Sequence, residues 1–244
     1  MSEVTRIDLG GVNSYLLRDE RPSGTHRTRW VLVDTGGHLA ADPTPSDRRD
    51  QLLDGLAAAG CRPGDLALIL LTHGHNDHAA NAAYVRERFG APIAMHAADV
   101  ALVERPTLET WLQAHHYQDP GLRQMYAQYA EVIAAVTRQA LAGFTPYTPD
   151  LLVADGFELG AYGIDARVIH VPGHTGGSLA VLTTAGALIA GDTYANLGQP
   201  GLAPNADDFA QMAASAAHLR AYRIARIYPG HGEPFDGPGW RAGW

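Results

Sequence analysis

Apolar and polar positions alternate weakly over residues 6–17, as in a first hairpin, and Trp30-Val31-Leu32-Val33 is apolar until it breaks at Asp34. Both patterns predict strands. Pro45-Ser46 can start a helix that carries Leu52, Leu53 and Leu56 on one face and stops at Gly60. The run Leu66-Ala67-Leu68-Ile69-Leu70-Leu71 is a further apolar segment, followed by a predicted helix over 79–89, with Gly90 as its stop, and a strand over 92–96. In the second half, strands are predicted over 157–171, 178–184 and 187–190, separated by Gly or Thr-Ala-Gly turns. A helix over 207–221 carries Phe209, Met212, Ala213, Ala216 and Leu219 at helical spacing, and a last strand covers 226–228. Periodicity alone gives a mixed α/β domain with two β-rich halves.

Between them, residues 98–149 read differently. Segments 107–116 and 122–141 look helical, with Asp119-Pro120-Gly121 as the turn between them. Leu122, Met125, Tyr126, Tyr129, Val132, Ile133 and Val136 fall on one side of the second, a stripe expected mostly to pack on the body. The whole chain, 1–244, is expected to be one domain with this helical insertion.

Composition narrows the chemistry. With 244 residues and 46% hydrophobic content the chain can bury a substantial core. The formal charge of −8, without any Lys/Arg run, makes nucleic acid a poor partner. The single cysteine, Cys61, cannot form an internal disulfide, residues 1–6 do not read as an apolar signal core, and no apolar run approaches the roughly 20 residues of a membrane span. The expectation is a cytoplasmic protein without a membrane partner.

Thr72-His73-Gly74-His75-Asn76-Asp77-His78 packs three imidazoles and a carboxylate into seven residues directly after an apolar run. On an extended strand end His73 and His75 point to the same side and can reach one cation. Asp77 and His78 are adjacent and diverge, which suits a second cation. Isolated donors also stand where apolar strands break into glycine or proline: His174 in Pro172-Gly173-His174-Thr175-Gly176-Gly177-Ser178, Asp192 in Gly191-Asp192-Thr193, and His231 in Pro229-Gly230-His231-Gly232. Five histidines and two aspartates supply enough donors for two first-row cations, and a carboxylate can bridge them. A closed structural zinc would favour cysteine donors, and there is one cysteine.

In this order, T-H-x-H-x-D-H, a lone loop histidine, a G-D aspartate and a final P-x-H-G, the motifs resemble those of metallo-β-lactamase-superfamily hydrolases over residues 6–233, with Val33-Asp34-Thr35-Gly36 matching an early strand-end aspartate motif. The resemblance implies an α+β four-layer αββα sandwich. It also implies two Zn2+, with iron or manganese as other fillings: one ion on His73, His75 and His174, the other on Asp77, His78 and His231, with Asp192 between them. Asp77 and Asp192 are the candidate catalytic carboxylates, and Asp34 is expected to orient a ligand imidazole through its other N–H. In such sites the ions lie roughly 3.5–4 Å apart and lower the pKa of a bound water to about 7, so that a hydroxide attacks an acyl carbonyl without any protein nucleophile. Ser178 and Cys61 are accordingly not expected to act covalently.

The His174 and Asp192 motifs are most similar to the glyoxalase II-like and lactonase-like thioester and lactone hydrolases. A glyoxalase II continues with a helical domain after its last histidine, whereas residues 232–244 are all that follow here. The expected substrate is a small acyl molecule, a thioester or lactone. An iron-containing oxygenase or redox protein of the same fold is one alternative, since imidazole and carboxylate accept iron as well as zinc, and a phosphodiesterase or nuclease is another. The resemblance implies that the insertion shapes the pocket, with His115, His116 and Tyr117 as candidates for substrate contact, and Tyr194 as a hydroxyl that can polarise a carbonyl. His96, His170 and His218 are read as packing residues; His38 and Asn81 flank the motifs.

Overall fold

The computed structural model describes residues 2–19, 29–37 and 48–237. The predicted hairpin is β1 (Ser2–Asp8) antiparallel to β2 (Asn13–Asp19). Next to it lie β3 (Trp30–Val33), antiparallel to β2, and then β4 (Leu66–Leu70), β5 (Ile93–Met95) and β6 (Leu151–Leu152), all parallel. The first sheet therefore runs β1-β2-β3-β4-β5-β6. The second is built from β7 (Ala166–His170), β8 (Leu179–Thr183), β9 (Ala187–Asn196), β10 (Pro200–Leu202), β11 (Arg226–Gly232) and β12 (Phe235–Asp236). Its order is β12-β11-β9-β8-β7, with β10 on β9 and a parallel β9–β11 pair at its centre. The helices are α1 (Arg49–Ala58), α2 (Asn76–Ala79), α3 (Ala82–Phe89), α4 (Val100–Glu104), α5 (Leu108–Leu112), α6 (Pro120–Gly143) and α7 (Phe209–Leu219).

The period of two along each strand explains the layering. Tyr15, Leu17, Val31, Val33, Leu68, Leu70 and Ala94 of the first sheet meet Val168, Leu179, Val181 and Ile189 of the second in one core. Their alternating neighbours Leu16, Leu32, Ile69 and Ile93 face outward onto Leu52 and Leu56 of α1 and Val85 and Phe89 of α3. On the far side, Ile169, Ala180, Leu182 and Leu188 pack under Ala216 and Leu219 of α7. Helix, sheet, sheet and helix form the four-layer αββα sandwich. Each fully buried Leu, Ile or Val stabilises it by roughly 1.5–3 kcal/mol relative to leaving it exposed. Among the described residues no helix is long and apolar enough to cross a membrane.

Several boundaries differ from those the sequence predicts. The helix predicted over 79–89 is two pieces, because Asn81, fully buried, turns its amide to the Thr35 carbonyl between them. The strand predicted over 157–171 is confined to Ala166–His170, preceded by a 3-10 turn at Leu159–Tyr162 that closes on Gly163. The strand predicted over 187–190 continues to Asn196, so that Asp192 lies within β9. The predicted start of α1 at Pro45-Ser46, and His38, lie outside the described residues. The stripe on α6 is only partly packed: Met125, Tyr129 and Val132 are 47%, 50% and 61% exposed.

Candidate metal centre

The donors come from the segment after β4, the loop between β7 and β8, and the parallel pair β9 and β11. Past β4 the chain leaves the sheet at Leu71, and its next residue is anchored twice: the Thr72 N–H donates to Asp34 Oδ1 and the Thr72 hydroxyl to Asp34 Oδ2, both at 2.7 Å. Asp34, at the end of β3, adopts a left-handed backbone with φ 62°, which Asp tolerates better than most residues. Its Oδ2 also accepts from His78 Nδ1–H at 2.9 Å. A single carboxylate thus fixes the rotation of one imidazole and, through Thr72, of a second, because the Thr72 oxygen that donates to Asp34 can accept from His73 Nδ1–H, 3.0 Å away. His174 donates its Nδ1–H to the Asn205 carbonyl (2.9 Å) and His231 its own to the Gly11 carbonyl (2.6 Å). Four of the five imidazoles therefore engage Nδ1 outside the cluster and direct Nε2 inward.

All seven predicted donors come together. His75 Nδ1 lies 3.0 Å from His174 Nε2, and His78 Nε2 lies 3.4 Å from His231 Nε2. Asp192 stands between the two groups, with Oδ2 3.5 Å from His174 Nε2 and 3.1 Å from His231 Nε2, and Oδ1 3.3 Å from His78 Nε2. Asp77 Oδ2 is 3.4 Å from His231 Nε2 and 3.8 Å from His78 Nε2. Ligating atoms of His73, His75 and His174, of His73, His78 and Asp192, and of Asp77, His78 and His231 each fall within 4.8 Å of one another.

These distances suit cations. Metal–nitrogen bonds of about 2.0–2.1 Å in a tetrahedral arrangement put neighbouring ligand atoms roughly 3.3 Å apart. His73 Nε2 and Asp192 Oδ1 are buried here without a hydrogen-bond partner, a costly state for polar atoms unless an ion satisfies them. Gly230 completes the fit, since a Cβ there would collide with Asp192 Oδ1.

Without metal, protons stand in for part of that charge. Burial opposes a charge on His78, but Asp192, Asp77 and Asp34 outweigh it and raise its pKa well above the usual imidazole value. Against the same burial, Asp192 and Asp77 push His231 up to about 10. Asp192 and Asp77 are held below the carboxylate range because the His231 and His78 charges outweigh their own desolvation. Burial and the His174 charge push His75 down to about 3, and burial above all lowers His73. The protonated imidazoles must become neutral to bind metal. Loading the metal-free protein with zinc at about pH 8 is therefore expected to release about two protons per chain, from His78 and His231, and affinity is expected to fall as the pH is lowered. Calorimetric titrations in buffers of different ionisation enthalpy count those protons; none released would contradict the pairing.

A cavity of about 340 Å3 opens beside the donors, with His75, Asp77, Asp192 and His231 in its wall. Of the predicted contact residues, His115 and Tyr117 line it, with His115 Nδ1 3.3 Å from the Tyr117 hydroxyl. His116 does not: its Nδ1–H donates to the Ala206 carbonyl at 2.7 Å and its ring packs on Phe209. Tyr194 is also elsewhere, 3% exposed in the core with Leu188 and Ala190 beneath α7. The register shift that sets Gly191–Ala195 of β9 against Pro229–His231 of β11 breaks the alternation, so Asp192 and Tyr194 do not share a face. His96 and His170 are not core residues but stack on each other half-buried, with ring centroids 4.1 Å apart, and His218 is exposed.

Sequence reasoning misses three supports. Asn13 Nδ2 donates to the Pro229 and Gly232 carbonyls and the Tyr15 hydroxyl to the Pro229 carbonyl, holding the turn that presents His231. Asp99, 2% exposed, accepts from Gly74 N, Thr175 Oγ1 and Gly177 N, tying the His73–His75 loop to the His174 loop.

Comparisons with known proteins agree with this geometry. The family model described as "Metallo-beta-lactamase superfamily" matches residues 7–231. A hydroxyacylglutathione hydrolase from Alkalilimnicola ehrlichii is 30% identical over 203 residues, 83% of this chain and 60% of its own length. The chain spans less than two thirds of the length of the curated relatives it matches. Among solved structures, a metallo-beta-lactamase family protein from Thermus thermophilus superposes with a TM-score of 0.65 at 24% identity, covering 96% of this chain and 74% of that one. Another protein, solved in a di-iron-bound form, gives 0.57 at 23% identity over 96% and 94%.

Proposed function

We propose that this chain, which belongs to the metallo-β-lactamase superfamily, is a metal-dependent hydrolase that uses two divalent cations to cleave a thioester or lactone of a small molecule. One observation carries the reading: seven imidazole and carboxylate donors converge at ligand spacing beside a cavity large enough for a small substrate.

His73, His75 and His174 would hold one ion, Asp77, His78 and His231 the other, and Asp192 would span both. When bound, such ions acidify a water near neutral pH and polarise a carbonyl. The chain's own residues supply the rest. Asp34, Thr72 and the Asn205 and Gly11 carbonyls hold the imidazoles in the tautomer and rotation that ligation needs. Asp77, which lines the cavity, would hold its ion on the substrate side and accept a hydrogen bond from the attacking water, whose proton would pass to the departing thiolate or alkoxide. Tyr117 and His115 line the cavity and would offer a hydroxyl and an imidazole N–H to the substrate. The likeness to hydroxyacylglutathione hydrolases supports acyl-bond cleavage, and the fold neighbour solved with two irons supports a cage that accepts iron as well as zinc.

Metal analysis of the purified protein, followed by a panel of thioesters, lactones and phosphodiesters, tests the proposal. About two equivalents of metal are expected, with hydrolysis of acyl substrates that a chelator abolishes and added zinc or iron restores. A single equivalent, a preference for phosphodiesters, or oxygen uptake without hydrolysis would overturn it.

A further inference from the structure

We propose that the cavity beside the donors selects an uncharged, apolar acyl chain of about six carbons and discriminates against substrates whose arm bears carboxylates. This deepens the hydrolase reading and rests on it. The acyl arm is the part that thioesters and lactones share, and the walls away from the donors suit it. Trp111, Ala114, Ala140, Ala195, Ala203 and Pro204 form most of them, with Asn76, Thr137 and Asn205 as uncharged polar members. Trp111 spends its Nε1–H on the Leu102 carbonyl (3.4 Å) and is braced edge-on by Phe144, so it offers ring carbons to the cavity. Thr137 donates its hydroxyl to the Ile133 carbonyl at 2.8 Å. His115 and Tyr117 face each other, and burial lowers the His115 pKa, which keeps the ring neutral near pH 7.

Charge points the same way. All 18 cationic side chains of the sequence are arginines, and among the described residues none lines the cavity. A tail with two carboxylates would leave water for a wall that offers no counter-charge, and that desolvation is not repaid. The four alanines leave space instead of filling it. At about 30 Å3 per water-sized group the cavity holds about eleven such groups, enough for a hexanoyl group, its sulfur and the attacking water. Leu197, 65% exposed at the mouth, is placed to be covered by a chain that fills it.

The test pairs turnover with binding. For the metal-loaded enzyme, kcat/KM for S-acyl-N-acetylcysteamine thioesters is expected to rise about fourfold per methylene from acetyl to hexanoyl, and the hexanoyl thioester to exceed S-lactoylglutathione at least about tenfold. By calorimetry, the uncleavable N-acetyl-S-hexylcysteamine is expected to bind at least about tenfold tighter than S-hexylglutathione. Ala140→Arg, which adds a cation to the wall, is expected to reverse that order; Leu197→Arg at the exposed mouth carries the same test if the first variant fails to fold. A flat chain-length series, or tighter binding of the glutathione thioether to the unsubstituted protein, overturns the proposal while leaving the hydrolase reading in place. Failure to hydrolyse any thioester or lactone, with the binding preference intact, would instead sink the hydrolase reading.

Discussion

Asp192→Asn is expected to leave the fold intact while lowering bound metal from about two equivalents towards one and turnover by more than about a hundredfold. Asparagine keeps the shape that lies against Gly230 and His78. It removes the negative charge and leaves one ligating oxygen where the geometry uses two, Oδ2 toward His174 and His231 and Oδ1 toward His78. Loss of partners that merely orient ligands costs about 10–100-fold in affinity or activity, and a donor shared by both groups should cost more. A coupled effect separates loss of charge from a general disturbance. Burial lowers the His231 pKa and Asp192 is the largest of the causes that raise it, so the variant's His231 should titrate nearer the ordinary imidazole value and release correspondingly less of a proton on metal binding at about pH 8. Two equivalents of metal with unchanged turnover would show that Asp192 lies outside the functional centre.

How legible was this centre in the sequence? The donors were visible because each is a polar group placed where an apolar run ends, a position that packing alone does not ask for. Asp34 was visible for the same reason, and the structure hydrogen-bonds it to His78 and Thr72. The apolar runs 30–33 and 66–71 located the central strands, but periodicity could not say that two sheets face each other; that came from the family resemblance. What escaped depends on tertiary register. Tyr194 and Asp192 are two apart and should share a strand face, yet the register shift of β9 against Pro229–His231 separates them. His116 and Tyr117 sit at one turn, and contacts distant in sequence separate them: Tyr117 pairs with Asn205 and lines the cavity, while His116 is held by Ala206 and Phe209. At Gly177 a Cβ would stand 2.6 Å from Asp99 Oδ1, and at Gly74 2.8 Å from Leu102 Cβ, so both loops need glycine for their close approach. No local pattern names Asp99 as the group that approaches.

Asp99→Ala should therefore be among the most destabilising single changes in this chain. Its carboxylate accepts from Gly74 N at 2.9 Å, Gly177 N at 2.8 Å and Thr175 Oγ1 at 2.7 Å, all in a site closed to water. Thr175 Oγ1 can fall back on Ser178 Oγ, 2.9 Å away, but the two backbone N–H groups have no such recourse. Hydrogen bonds to a charged acceptor contribute about 1.5–3 kcal/mol each, and orphaned buried donors add their own desolvation, so a loss of roughly 3–5 kcal/mol is expected. For a chain of this size that lowers the melting temperature by about 10 °C or more. If Asp99 were only a structural tie, the loss would be the same with and without metal. Because it joins the loop of His73 and His75 to the loop of His174, the variant also leaves the first group of donors less well placed, and metal should bind about 10–100-fold more weakly. Metal stabilises the folded state in proportion to the logarithm of its affinity, so the drop in melting temperature should be larger in excess zinc than in chelator. Equal drops in the two conditions would show that Asp99 supports the fold without positioning the donors.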